Sequence, residues 1–139
     1  MQSLVLVDTG PLVALLSRTD RYHDLCTHQL KSLPTPLITC WPVLTEAAWL
    51  LRRRPAAIYQ LLNSIGAGFL RVLELEETSS TWIAAFMARY EDMGVQLADA
   101  SLVYLAEREA IDTVFTLDRR DFSIYRYKDG HYLHLLPEF

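Results

Sequence analysis

The chain is poor in the residues that would take it out of the ordinary globular class. Five glycines and six prolines stand among 139 residues, too few for a low-complexity tract, and no Gly/Ser-rich linker divides the sequence. Two cysteines, Cys26 and Cys40, lie fourteen positions apart without a CxxC pair. That gives neither a disulfide framework nor a zinc knuckle, and suits reduced, packed thiols. No apolar run approaches the roughly 20 residues that span a bilayer. The first such run, "LVLVDTGPLVALL" from Leu4 to Leu16, is interrupted at Asp8 and is too short for a signal-peptide core, so a cytoplasmic protein without a membrane partner is expected. Cations are scarce too: 13 Lys plus Arg against 17 Asp plus Glu leave a formal charge of −4. That is a poor balance for a nucleic-acid partner, whose phosphates are normally met by Lys and Arg. GxSxG, P-loop, GxGxxG and HExxH motifs are absent, which removes the common hydrolase triads, triphosphate binding and zinc proteolysis. His23 and His28 are separated on a helix, and His131 and His134 point to opposite faces of an expected strand, so neither pair chelates.

What is present reads as one unit over residues 1–139. Hydrophobic residues make up 51% and charged residues 22%, and a chain of this length buries about 70% of its unfolded surface. Leu4–Val7 is apolar on both faces, as in a parallel strand covered on each side, and Gly10 and Pro11 end it and open a helix. Arg21–Leu33 reads as an amphipathic helix with Leu25 and Leu30 inward, Leu37–Thr39 as a strand, and Pro42 and Pro55 as openings of helices to Leu51 and about Ser64. Leu70–Leu73 is a strand, Thr78 to about Tyr90 and Leu97 to about Glu109 are helices, and Thr113–Leu117 and Tyr132–Leu135 are strands. This alternation predicts a three-layer α/β/α sandwich around a mostly parallel sheet, in which ligands bind beyond the carboxyl ends of the strands where strand order reverses. Trp41, Trp49 and Trp82 are expected in the core or at a subunit interface, with base stacking as the alternative.

Four carboxylates stand in apolar company. Asp8 and Asp118 each follow the end of a predicted strand, on one rim of the sheet. Glu46, in "PVLTEAAWLL", has Pro42, Val43, Trp49 and Leu50 as its helical neighbours and is expected on a buried face. Asp99, in "VQLADASLVYLA", occupies the opening turns of a helix beside Leu102 and Val103. Three have a plain structural alternative, an Asx turn or N-cap at Asp8, dipole complementation at Asp99 and a turn into "RRDF" at Asp118, whereas Glu46 is harder to explain in that way. Gathered together without Lys or Arg in helical register, the four would raise one another's pKa. A cation resolves that conflict, and hard oxygen ligands select Mg²⁺ or Mn²⁺.

With these residues in place, the sequence resembles the PIN-domain ribonucleases, in particular the VapC-type toxins of bacterial toxin-antitoxin pairs. The resemblance runs from Leu4 to about Arg126. "VDTGPLVALLSRTDRYH" is similar to the family's opening with Asp8, "CWPVLTEAAWLL" to its helix with Glu46, "LADASLVYLAE" to the segment with Asp99, and "VFTLDRRDFSIYR" to its closing motif with Asp118. The resemblance implies an acidic pocket for one or two Mg²⁺ or Mn²⁺, endonucleolytic cleavage of RNA, a homodimer, and a small protein antitoxin as partner. Asp121, three residues beyond Asp118, is a second acid able to share or replace its role.

In the chemistry so implied, Asp8 and Asp99 are the principal metal ligands, while Glu46 and Asp118 bind a second ion, hold water or take a proton. Thr9 and Thr116 place hydroxyls near the same rim, although β-propensity alone accounts for Thr116. The helix opening at Gly10 and Pro11 offers N–H groups to a phosphate. Setting the four acids aside leaves as many acidic residues as basic ones, which answers the charge objection. Arg52, Arg53 and Arg54, and the group Arg119, Arg120, Arg126 and Lys128, are the candidate RNA-backbone contacts, with solvated surface charge as the alternative. A housekeeping RNA-processing nuclease and a catalytically silent RNA- or protein-binding domain are the competing functions. An aspartyl-nucleophile phosphatase is disfavoured because Gly10 stands where a second Asp is needed.

Overall fold

The computed structural model describes residues 3–138. Five short strands, β1 (Leu6–Val7), β2 (Leu37–Thr39), β3 (Leu70–Val72), β4 (Thr113–Phe115) and β5 (His134–Leu136), form one sheet in the order β3-β2-β1-β4-β5. Every pairing is parallel. Successive residues of the central strands, Leu6 and Val7, Ile38 and Thr39, Val114 and Phe115, are all buried. Side chains alternate across a strand, so both faces of the sheet must be covered, as a three-layer α/β/α arrangement requires.

The covers are α1 (Thr9–Leu16) and α2 (His23–Leu30) between β1 and β2, α3 (Trp41–Leu50) and α4 (Pro55–Gly66) between β2 and β3, and α5 (Ser79–Arg89) and α6 (Leu97–Glu109) between β3 and β4. A four-residue α7 (Arg119–Phe122) follows β4. The chain steps outward from β1 to β2 and β3, then crosses back to place β4 on the other side of β1. Strand order therefore reverses between β1 and β4, and their carboxyl ends open on the crevice where such sheets take ligands. α6 is deeply enclosed along its middle, with Ala98, Ala100, Ser101, Leu102, Val103, Leu105 and Ala106 all buried. It packs against both α3 and α5. Among the described residues no helix is long and apolar enough to cross a membrane.

The expected elements are present, with shifts that have local causes. The helix expected over 21–33 is reduced to α2, and its inward centre is the fully buried Cys26, while Leu25 and Leu30 are only half-buried. The strand expected over 113–117 stops at Phe115, and the last strand lies at His134–Leu136 instead of Tyr132–Leu135. Two short elements escaped the sequence reading, the 3-10 turn Glu91–Met93 and α7, because neither is long enough to show a helical period. Trp41 and Trp49 are not core residues; they are 55% and 63% exposed, and Trp82 is half-buried. Burial on α3 belongs instead to Val43, Leu44 and Ala47. Both cysteines are free and buried. Burial pushes the Cys26 thiol up to about 11 and the Cys40 thiol up to about 12, which keeps both as inert, packed thiols.

Candidate active site

Register between β1 and β4 places the first two acids. Leu6 pairs with Val114 and Val7 with Phe115, so the next residues, Asp8 and Thr116, leave the sheet side by side. The Asp8 amide donates to the Phe115 carbonyl at 2.9 Å, and the Thr116 hydroxyl donates to Asp8 Oδ2 at 2.8 Å. The same Thr116 oxygen accepts from the Asp118 amide at 3.0 Å. One hydroxyl thus fixes an acid on each strand end, and β-propensity is not its whole account. Asp8 stands at the N-cap position of α1 but makes no side-chain capping bond, so its carboxylate is left to face the crevice. Gly10 follows because α1 starts against the β4–α7 connection: a Cβ there would come within 3.3 Å of Leu117 Cβ.

The remaining acids come from helices. Pro42 sits in the first turn of α3, where its missing N–H has no cost, and one turn later Glu46 reaches the crevice. Glu46 is half-buried and its neighbours Trp49 and Leu50 are exposed. The buried face expected for it is therefore corrected to a position on the crevice wall. Gly94, with φ of 66°, turns the chain from the 3-10 helix into α6. Asp99 then falls in the first turn of α6. Asp118 caps α7, its Oδ1 accepting from the Asp121 amide at 3.2 Å. The turn-forming alternative for Asp118 is thus real, and the cap takes one carboxylate oxygen.

Asp8, Glu46, Asp99, Asp118 and Asp121 all line one cleft of about 490 Å³, together with Thr9, Gly10, Gln96 and Leu117 among others. Carboxylate oxygens of Asp99, Asp118 and Asp121 lie within 4.8 Å of one another. The three ion pairs formed among the described residues, Arg108 with Glu76 and with Glu109 and His134 with Glu138, touch none of these five acids.

The electrostatics record the crowding. Burial pushes the Asp8 carboxyl up to about 6, with repulsion from Glu46 and Asp118 adding to it and the Thr9 amide and Thr116 hydroxyl pulling the other way. Burial also carries Asp99 up to about 7, aided by Asp8, Asp118 and Glu46 and opposed by a hydrogen bond from the Tyr125 hydroxyl. Asp118 is raised by burial and by Asp121, against the Asp121 amide and a weaker pull from Arg120. Carboxylates that crowd in this way, with no ion pair to any of them among the described residues, form a hard-oxygen donor set whose demand is for positive charge. The residues present therefore fit a divalent cation such as Mg²⁺ or Mn²⁺.

Other expected contributors lie further off or are engaged. The Thr9 hydroxyl donates to the Val43 carbonyl at 3.4 Å, tying α1 to α3. Arg52 stacks on Trp49 at 4.0 Å and donates to its carbonyl, Arg54 donates to Thr19, and Arg52, Arg53 and Arg54 are all exposed. Arg119 donates to the Pro137 carbonyl at 2.6 Å, and Arg120 is exposed. None of these arginines lines the cleft. Sequence reasoning missed Gln96, at the head of α6, and Tyr125. Gln96 lies three residues before Asp99, on the same helical face, which was the available signal.

The model of the PIN domain family matches residues 5–128. Ribonuclease VapC26 of Mycobacterium tuberculosis is 26% identical over 135 residues, 96% of this chain and all of that one. The crystal structure of M. tuberculosis VapC20, described as a sarcin-ricin loop cleaving toxin, superposes with a TM-score of 0.77 at 20% identity. It covers 84% of this chain and 91% of its own. VapBC2 from Rickettsia felis, bound to a DNA fragment from its promoter, gives a TM-score of 0.60 at 14% identity, covering 95% and 96%. With the family model spanning nearly the whole sequence and the acids of its motifs gathered at one sheet crevice, the chain belongs to the PIN-domain family.

Proposed function

We propose that the protein is a divalent-metal-dependent endoribonuclease, the toxin of a toxin-antitoxin pair, with Asp8, Glu46, Asp99 and Asp118 as its catalytic acids and Asp121 as a fifth. The observation that carries this reading is the convergence of five carboxylates from four parts of the chain on one cleft, with no ion pair to them among the described residues. Likeness to VapC26 over its full length supports RNA as substrate, and likeness to VapC20 and VapBC2 supports an antitoxin partner.

Asp99, Asp118 and Asp121 would hold Mg²⁺ or Mn²⁺ from one wall, and Asp8 from the floor. A divalent cation there supplies Lewis-acid polarisation of a phosphodiester and a water activated near neutral pH. The chain's own contribution is geometric. Thr116 fixes the Asp8 carboxylate and the Asp118 backbone together. Glu46, on the α3 wall, accepts a proton from water or orients it, and the opening of α1 at Gly10 offers backbone N–H groups to a phosphate oxygen. Arginines outside the cleft, Arg52, Arg53 and Arg54 with Arg119 and Arg120, would meet the RNA backbone beyond the scissile bond.

Cleavage of structured RNA with Mg²⁺ or Mn²⁺, with excess EDTA, and with Asp8→Asn and Asp99→Asn tests the reading. Expected are cleavage with metal only and loss in both variants, with growth arrest on expression relieved in parallel. Full cleavage in EDTA, or in both variants, rejects it. A housekeeping nuclease is separated from a toxin by the adjacent gene, which for a toxin encodes a small antitoxin.

We also propose a homodimer, formed through the exposed face of α3 and the start of α6. Trp41, Trp49 and Leu97, each more than half exposed, line a shallow apolar groove there. Exposed aromatics in contiguous patches mark association surfaces.

A further inference from the structure

Tyr125 is fully buried, yet it carries a phenol into the middle of an aromatic cluster. Its ring meets Phe86, Tyr90 and Phe122 edge-on, each with centroids 5.2 Å apart. Three edge contacts, from α5, the residue that caps it and α7, leave the ring little rotational freedom. The backbone is held as well: the Tyr125 amide donates to the Asp121 carbonyl at 3.2 Å, and the Arg126 amide donates to the Tyr90 hydroxyl at 3.0 Å. From this fixed ring the hydroxyl donates to Asp99 Oδ2 at 3.1 Å.

A buried tyrosine hydroxyl needs a partner, and a carboxylate is a strong acceptor. The choice of partner has a structural consequence. A carboxylate on a helix can rotate about its last bond, and a cation then meets a mixture of one- and two-oxygen geometries. A donor fixed to Oδ2 stops that rotation and leaves Oδ1 and the unused lone pairs for the cluster with Asp118 and Asp121. Tyr125 also follows those two acids in sequence, so the anchor that holds it sets where their segment lies relative to α6.

The geometry points to Tyr125 as a positioning residue of the cation site, its hydroxyl setting the rotation of the Asp99 carboxylate toward Asp118 and Asp121. The inference rests on the metal-dependent reading above and assigns the hydroxyl, not the ring, as the operative group. Groups of this kind behind a ligand contribute about 10- to 100-fold in metal affinity or activity.

Mn²⁺ binding to the full chain, followed by the electron paramagnetic resonance of free Mn²⁺, is the test. Tyr125→Phe keeps the ring and removes the donor, and its affinity should fall about tenfold or more. Cleavage should return to within about threefold of wild type when Mn²⁺ is raised to saturation. Tyr104→Phe, which removes a tyrosine hydroxyl from a carboxylate outside the cleft, Glu76, should bind Mn²⁺ as wild type does. Replacing Tyr125 by p-aminophenylalanine restores an N–H donor at the same point and should restore the affinity; it keeps the test alive even where Tyr125→Phe folds poorly. Unchanged Mn²⁺ affinity in Tyr125→Phe, or an equal loss in Tyr104→Phe, overturns the assignment. Wild type and Asp99→Asn binding Mn²⁺ equally well would instead remove the metal reading beneath it.

Discussion

Asp8 and Thr116 are 108 residues apart in sequence and joined by a 2.8 Å hydrogen bond at the point where strand order reverses. The hydroxyl that donates to Asp8 Oδ2 also accepts from the Asp118 amide. Thr116→Val, which keeps the shape and removes both functions, should lower Mn²⁺ affinity and cleavage by about 10- to 100-fold. Thr116→Ser should retain most of both. Calorimetric Mn²⁺ titration of the two variants checks this, and equal binding in Val and Ser would show that the hydroxyl is only a structural link.

The raised carboxyls make stability depend on pH in a definite direction. Asp8 and Asp99 have folded values of about 6 and 7 against an ordinary 3.8, so between those limits the folded state binds more protons than the unfolded one. Stability of the metal-free protein must then fall as pH rises from about 4 to about 7 and stay low above that. Divalent metal binds the ionised form, so added Mg²⁺ should raise the melting temperature at pH 8 and hardly at pH 5. Melting curves with Mg²⁺ and with EDTA at both pH values give the comparison; a metal-free protein more stable at pH 8 than at pH 5 contradicts the account.

Asp121 should matter as much as Asp118 for metal binding, because both place an oxygen within 4.8 Å of Asp99. Asp121→Asn and Asp118→Asn should each weaken Mn²⁺ binding about tenfold or more. The cap of α7 survives in Asp118→Asn, since the amide oxygen of Asn accepts as Oδ1 does. Unaltered affinity in Asp121→Asn would return the role to Asp118 alone.

The exposed face of α3 predicts an oligomer that charge disrupts. Trp41→Glu, placed among Trp49 and Leu97, should convert a dimer to a monomer in light scattering at micromolar concentration while leaving the circular dichroism unchanged. A wild-type protein that is monomeric throughout that range excludes this interface.

Much of the fold was legible because its determinants are local. Leu37–Thr39 and Leu97–Glu109 fall where the sequence put them, the first bounded by Pro36 and the opening of the next helix, the second long enough to hold its period. Short elements were displaced or missed, since α7 and the 3-10 turn offer too few residues for any pattern. The apolar Trp49 and Leu50 predict a buried face for Glu46, yet both are exposed. Apolar character marks what can be buried; the neighbouring helix decides what is.

Four acids stood out in the sequence because each interrupts an apolar setting, and the family motifs grouped them. Asp121, in sequence only an alternative to Asp118, lies beside Asp99 and Asp118 in the fold. Tyr125 carried no signal at all. A tyrosine among aromatics reads as core, and only the packing of α5, α6 and α7 brings its hydroxyl to Asp99.

By itself the sequence determined the alternation of strands and helices and the acids at their ends, because strand length, proline and glycine punctuation and apolar pattern act over a few residues. Tertiary structure alone decided that β4 returns beside β1, that Thr116 meets Asp8, and that Tyr125 reaches Asp99. Those contacts join residues far apart along the chain, and their existence depends on which strand pairs with which, a choice made by the packing of whole helices on the sheet.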